Sequence, residues 1–258
     1  MEKILVPTDL AEKSELSLQY AIDIGATDQA EITLYNDAIN DADMETAESR
    51  LQDVIKQAKS HAQADAVKIN PETNKGAVLE GISKKIKEDK FNLICMVTHT
   101  QENIDISIGS ISTKIAQKGK APVLLVPENN QYSEIKNVLI VNDFTDARSD
   151  EPAFKHLSPL VQKLGAKTSL LHAVIKESKP APAENPTEIM GDIKLEKSEK
   201  VTYENYEDMI KQVKEHASQM NAQMIYLPSS QVVFEKIFVG NLARQLALAT
   251  QLPVYIYY

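Results

Sequence analysis

A chain of 258 residues with 43% hydrophobic and 25% charged residues has a globular composition, which excludes an intrinsically disordered or collagen-like protein. Its net charge of −9 and the lack of a basic cluster argue against a nucleic-acid partner. No run of about 18 apolar residues occurs, so we expect no membrane span. The single Cys95 excludes an intrachain disulfide, and the charged start of the chain indicates a cytoplasmic protein without a signal peptide.

The first half alternates apolar strands with amphipathic helices in chain order. We predict strands at 3–7, 31–36, 66–69, 93–97 and 123–126, and helices at 12–25, 44–63, 77–89 and from about Ser110. This alternation predicts a parallel sheet with helices on both faces.

The second half repeats the landmarks of the first in the same order. Asp9 and Asp143 end matching strands, EITLYNDAI (31–39) matches KTSLLHAVI (167–175), Pro122 matches Pro253, and Gly109-Ser110 matches Gly240-Asn241. The offsets are 131 to 136 residues, which indicates a tandem duplication. We therefore predict two domains, 1–130 and 135–258.

The second domain departs from the first after its second strand. We predict strands at 138–142, 168–174 and 223–227, and helices at 204–219 and from about 240. Residues 176–203 are predicted to be an irregular insert, because Pro180, Pro182 and Pro186 argue against a continuous helix. The counterpart of the helix at 44–63 is therefore predicted to be lost or shortened.

Polar residues follow three strands of the first half at their carboxyl ends, where ligands bind to open α/β sheets. Pro7-Thr8-Asp9 follows the first strand, Asn36–Ala38 the second, and Thr98–Gly109 the fourth. A helix that begins at Gly109-Ser110-Ile111 would present backbone amides to a phosphate or another anion.

The Pro7-Thr8-Asp9 end, the Gly109-Ser110 helix start and the APVLLVP strand (121–127) resemble the universal stress protein family in its tandem two-domain form. The resemblance covers nearly the whole chain except 176–200. It implies two flavodoxin-like (adenine nucleotide alpha hydrolase-like) α/β domains, each an open five-stranded parallel sheet. It also implies an ATP or other adenine-nucleotide ligand and a role in the stress response. The implied site residues are Pro7, Thr8 and Asp9 at the nucleoside, Ala38 near the base, Val97 and Thr98 at the fourth strand end, and Gly109, Ser110 and Ile111 at the phosphates.

The phosphate loop departs from the family pattern G-x2-G-x9-G-S/T. Thr98 and Gln101 stand where the first two glycines are expected, and Glu102 and Asp105 add negative charge. A β-carbon hinders close backbone approach, and like charge disfavours a triphosphate. These departures predict a weakened ATP site in the first domain. The alternative is an interaction or scaffolding protein with no nucleotide ligand.

Each candidate residue also has a structural interpretation. Asp9 and Asp143 would cap a turn, and Ser110 would be a helix N-cap. His99 is interpreted as a solvated loop histidine, His172 as a hydrogen-bonded structural histidine, and Cys95 as a buried inert thiol. No catalytic triad, metal-ligand cluster or HExxH motif occurs, so we predict a binding protein rather than an enzyme.

The strands at 123–126 and 254–258 are predicted to be edge strands, which invite pairing. The resemblance implies that the last strands of the two domains pair within the chain, which would give a pseudo-twofold monomer. A homodimer is the further partner that we consider.

Overall fold

The computed structural model describes residues 3–11, 13–99, 115, 121–144, 147–175, 189–228 and 239–257. The chain divides into two compact units, Met1–Tyr132 and Ser133–Tyr258. No helix within the described ranges is long and apolar enough to cross a membrane.

The first unit is a parallel sheet in which β1 lies at the centre, in the order β3-β2-β1-β4-β5. Its strands are β1 (Lys3–Pro7), β2 (Glu31–Ala38), β3 (Lys68–Lys75), β4 (Leu93–Thr98) and β5 (Val123–Pro127). Its helices are α1 (Glu15–Ala26), α2 (Asp41–Ala58) and α3 (Val78–Asp89). Strand β1 is a continuous apolar run because it is buried, with Ile4, Leu5 and Val6 all at 0% exposure.

The second unit repeats this topology. Its strands are β6 (Asn137–Asn142), β7 (Lys167–Ile175), β8 (Leu195–Tyr203), β9 (Met224–Pro228) and β10 (Val254–Tyr257). Its helices are α4 (Ala147–Leu164), α5 (Tyr206–Gln219) and α6 (Val239–Thr250). The parallel pairs run β8-β7-β6-β9-β10, so the central strand is again the first strand of the unit.

The α/β class predicted from the sequence is confirmed. In both units the strand order, counted within the unit, is 3-2-1-4-5, whereas flavodoxin itself has 2-1-3-4-5. The order reverses between the first and fourth strands, β1 and β4 in the first unit. The carboxyl ends of β1 and β4 therefore flank the crevice in which a doubly wound sheet binds ligands.

The prediction of an irregular insert over 176–203 is wrong for its last part, because residues 195–203 form strand β8. This strand pairs with β7 from Thr168↔Leu195 to Ile175↔Tyr203. It carries charged residues along LEKSEKVTY because it has one described strand neighbour and a largely solvated surface. The predicted loss of a helix falls on residues 176–188, outside the described part of the chain.

Strand β3 is also longer than the predicted 66–69, since it runs over all of Lys68–Lys75. Its side chains are mostly polar and half-buried or exposed. Backbone pairing with β2 continues along all eight residues, and backbone hydrogen bonds do not depend on apolar side chains. Hydrophobic pattern alone therefore underestimates both outer strands.

Helix α4 was not predicted, and its sequence shows why. It contains Pro152 and Pro159, which usually indicate a helix boundary. The helix is nevertheless stabilised by packing of Phe154 and Leu157, which are at most 1% exposed. Tertiary burial thus outweighs the two backbone hydrogen bonds that proline removes.

Candidate functional site

The loop that follows β1 is held in one conformation by its own side chains. The backbone N–H of Leu10 donates to Thr8 Oγ1 at 3.0 Å, and that of Ala11 donates to Asp9 Oδ1 at 3.0 Å. Leu10 has φ of 58°, a left-handed conformation that is unusual for a side chain of this size. Such a residue persists only where its surroundings hold it. The loop after β1 is therefore held in a defined conformation at the edge of the sheet.

Neighbouring elements fix this loop from two further sides. Asn36, near the end of β2, donates from Nδ2 to the carbonyl oxygen of Thr8 at 2.8 Å. Arg50 of α2 donates from Nη2 to the carbonyl oxygen of Leu10 at 2.7 Å. The sequence analysis did not single out Arg50, because nothing in a helical pattern shows that one exposed arginine reaches a loop 40 residues earlier.

A histidine with two carboxylates lies at the point where the strand order reverses. His99 follows β4, and its Nε2 lies 3.1 Å from Asp9 Oδ2. Its Nδ1 lies 2.6 Å from Glu128 Oε2, and Glu128 follows β5. We call Asp9, His99 and Glu128 the switch-point cluster. It joins the carboxyl ends of three strands of the first unit.

The interpretation of His99 as a solvated loop histidine is wrong. Its side chain is 15% exposed, against 46% for Asp9 and 26% for Glu128. The hydrogen bond and charge of Asp9, together with Glu128, raise the pKa of His99 to about 9. The same hydrogen bond lowers the pKa of Asp9 below its ordinary value. Asp9 and His99 therefore form an ion pair at neutral pH, and Glu128 contacts the other ring nitrogen of His99.

Glu128 was missed by the sequence analysis, although a signal for it existed. It comes directly after β5, at the same sheet edge as the ends of β1 and β4. The backbone N–H of Glu128 donates to the carbonyl oxygen of Thr98 at 3.0 Å, which continues the β4–β5 pairing by one residue. A polar residue after each of three neighbouring parallel strands predicts a common cluster.

The predicted site residues occupy different environments. Pro7, Ala38 and Thr98 are buried, Thr8 and Val97 are half-buried, and Asp9 is exposed. Thr98 is 2% exposed, and its part in ligand binding stays a prediction. Gly109, Ser110 and Ile111 lie outside the described residues, as does Gln101, so the predicted phosphate end stays a prediction.

The second unit builds the same loop from other residues. Phe144 has φ of 53°, and its backbone N–H donates to Asn142 Oδ1 at 2.7 Å, as that of Leu10 does to Thr8. His172 lies near the end of β7, where Asn36 lies in β2, and its Nε2 is 3.0 Å from the carbonyl oxygen of Asp143. The prediction that His172 is a hydrogen-bonded structural histidine is confirmed.

Two other kinds of site, a metal site and a reactive cysteine, find little support among the residues that the structure describes. No group of three or more His, Cys, Asp or Glu side chains is arranged to hold a metal ion in this part of the chain. Cys95 is fully buried, and burial raises the pKa of its thiol far above the ordinary value, as expected for an inert thiol.

The fold and the switch-point cluster define an α/β protein of the doubly wound type with a polar site at its switch point. Residues 1–127 match the model of the universal stress protein family. The first domain therefore belongs to that family, as its motifs indicated. No match was found among curated protein sequences.

Solved structures similar to this chain extend over both units. A universal stress protein from Archaeoglobus fulgidus DSM 4304 is 17% identical with a TM-score of 0.71, over 98% of this chain and 95% of that one. A functionally unknown protein from Pseudomonas aeruginosa PAO1 is 12% identical with a TM-score of 0.63, over 99% and 92%. The cytoplasmic domain of a prokaryotic cation chloride cotransporter is 15% identical with a TM-score of 0.55, over 99% and 94%. At such identities these likenesses show the fold alone.

Proposed function

We propose that the chain is a stress-response binding protein of the universal stress protein type, whose first domain binds an adenine nucleoside or nucleotide weakly beside Asp9. The observation that carries this proposal is the position of Asp9. Its exposed carboxylate follows β1 at the switch point, in a loop that Thr8, Asn36 and Arg50 hold in place. A carboxylate in such a place can accept hydrogen bonds from hydroxyl or amino groups of a nucleoside.

The charge of the site favours the nucleoside part of the ligand over its phosphates. The switch-point cluster contains two acidic residues and one histidine, and Glu102 and Asp105 follow closely in the sequence. An acidic site repels each additional phosphate charge, and repulsion of like charges lowers affinity. We therefore expect dissociation constants of roughly 10 μM to 1 mM for adenosine, and weaker binding of ATP.

Titration calorimetry with adenosine, AMP and ATP, with and without Mg²⁺, tests this function. We expect adenosine to bind the wild-type chain and Asp9→Ala to abolish that binding. Asp53→Ala is the matched control, because Asp53 is an exposed carboxylate on α2. Adenosine binding that survives Asp9→Ala would contradict the proposed site.

A second candidate is an interaction protein without a nucleotide ligand. It is favoured by one observation, the engagement of both Asp9 oxygens within the domain, Oδ1 by Ala11 and Oδ2 by His99. The same titrations decide between the two, because absence of heat with adenosine, AMP and ATP at millimolar concentration would leave this candidate standing.

A further inference from the structure

His99 is held in its doubly protonated form by geometry. Its two ring nitrogens lie 3.1 Å from Asp9 Oδ2 and 2.6 Å from Glu128 Oε2. An ionised carboxylate only accepts hydrogen bonds, so both nitrogens must donate, and a histidine that donates from both is an imidazolium. Its N–H groups are directed at these two carboxylates rather than at a ligand.

The carboxylate of Asp9 is engaged on both oxygens. Oδ1 accepts from the backbone N–H of Ala11 at 3.0 Å and lies 3.4 Å from Ser14 Oγ. Oδ2 faces His99, and this bond is charge-assisted, so it is stronger than one between neutral groups. A ligand that uses Asp9 must therefore share these oxygens with His99 and Ala11, taking their remaining lone pairs or replacing part of the interaction with His99.

We propose that His99 and Glu128 determine the ligand specificity of the site, because the imidazolium that Glu128 holds occupies the carboxylate a nucleoside would use. This inference rests on the proposed function. A neutral nucleoside shares this carboxylate with an internal cation that already neutralises its charge, and its affinity stays low. A phosphate gains little from His99, because the imidazolium protons are already directed at Asp9 and Glu128. The pair thus keeps the site weak for nucleosides and unfavourable for nucleotides.

Glu128 has the shorter contact with the ring. Its oxygen lies 0.5 Å closer to His99 than that of Asp9 does, and its side chain is less exposed, 26% against 46%. When a ligand takes Asp9, His99 can therefore remain bonded to Glu128. Removing the charge of Glu128 should make the His99 imidazolium less stable. Its interaction with Asp9 should accordingly become weaker.

The test compares adenosine and ATP affinities of the full chain and its variants at pH 7 by titration calorimetry. His99→Gln removes the positive charge but keeps a side chain that can form hydrogen bonds. We expect its dissociation constant for adenosine to fall about 10-fold relative to wild type, and Glu128→Gln to show a smaller change in the same direction. The double variant Asp9→Ala/His99→Gln should not show this increase in adenosine affinity. His216→Gln, in the second unit, is the control and should bind adenosine as the wild type does.

A purely structural role of His99 predicts another pattern, namely a lower melting temperature with unchanged or weaker adenosine binding. A folded His99→Gln variant that binds adenosine no more tightly than wild type would overturn the inference while leaving the proposed function intact. If His99→Gln does not fold, Glu128→Gln decides in the same way. Adenosine binding by His99→Gln alone would support the role of His99 in specificity but would refute nucleoside binding by the native chain. If neither the wild type nor any variant binds adenosine, both the inference and the proposed function are overturned.

Discussion

The imidazole Nε2 of His99 lies 3.1 Å from the carboxylate Oδ2 of Asp9, across the point where the strand order of the first unit reverses. The position that binds ligands in doubly wound sheets is thus spanned by an internal ion pair. The ion pair should therefore affect both the stability of the first unit and its affinity for ligands.

The ion pair should make the first unit less stable at alkaline pH. The folded pKa of His99, about 9, lies above its ordinary value of about 6.5, so the stabilisation is fully present below pH 6.5 and is lost as pH rises through 9. We expect His99→Gln to cost about 1–2 kcal/mol at pH 6, allowing for solvent screening at a partly exposed pair, and much less at pH 10. Denaturant unfolding, followed by NMR signals of the first unit, measures the loss of unfolding free energy at each pH. An equal loss at pH 6 and pH 10 would contradict the prediction.

The second unit should respond to pH in the opposite sense. Burial lowers the pKa of His156 to about 4, so the neutral form is favoured in the folded chain, and stability present above pH 6.5 is lost as pH falls through 4. His156 Nε2 lies 2.6 Å from the Tyr255 hydroxyl. We expect a loss of about 2–3 kcal/mol between pH 7 and 4, to which His172, whose pKa burial also lowers, contributes.

His156→Gln should flatten this acid response, because glutamine cannot take up a proton but can still form a hydrogen bond with Tyr255. NMR titration of the five histidines checks the signs directly, since His99 and His156 should titrate at opposite ends of the range. Ordinary pKa values for both residues would refute both stability predictions.

The sequence predicted the central strands and the duplication well, and the reason is physical. Strands buried on both faces are continuous apolar runs, such as ILV at 4–6, and these stand out without any knowledge of neighbours. The outer strand β8 was missed because most of its residues are charged or polar and only one, Tyr203, is buried. The contact of His99 with Glu128 was missed because the two residues lie 29 positions apart in the sequence. They meet only because β4 and β5 are neighbouring parallel strands whose carboxyl ends lie at the same edge of the sheet.

Gly81 of α3 should not tolerate a side chain. A Cβ at this position would overlap the Asp37 carboxylate and would lie 2.6 Å from the Tyr35 hydroxyl oxygen. We expect Gly81→Ala to destabilise the first unit by about 1–3 kcal/mol through overpacking, although alanine is the better helix former. The double variant Asp37→Ala/Gly81→Ala should recover most of the loss. A stabilised single variant, measured by thermal unfolding, would show that α3 can move away from β2.

Tyr132 should anchor the segment after β5 to α1. Its hydroxyl donates to Asp23 Oδ2 at 2.5 Å, and Asp23 is 6% exposed with its other oxygen 2.7 Å from His61 Nε2. Tyr132→Phe leaves a buried carboxylate with one donor fewer, which should cost about 1–3 kcal/mol of unfolding free energy. Tyr206→Phe is the matched control. Equal melting temperatures for the two variants would argue against an anchoring role.

The most direct test of the central claim follows the ring ¹⁵N signals of His99 while adenosine is added at pH 7. The account predicts that adenosine binding shifts these signals and lowers the pKa of His99 from about 9 toward its ordinary value, because the ligand takes the Asp9 carboxylate. Saturable adenosine binding with unchanged His99 signals and pKa would contradict the account.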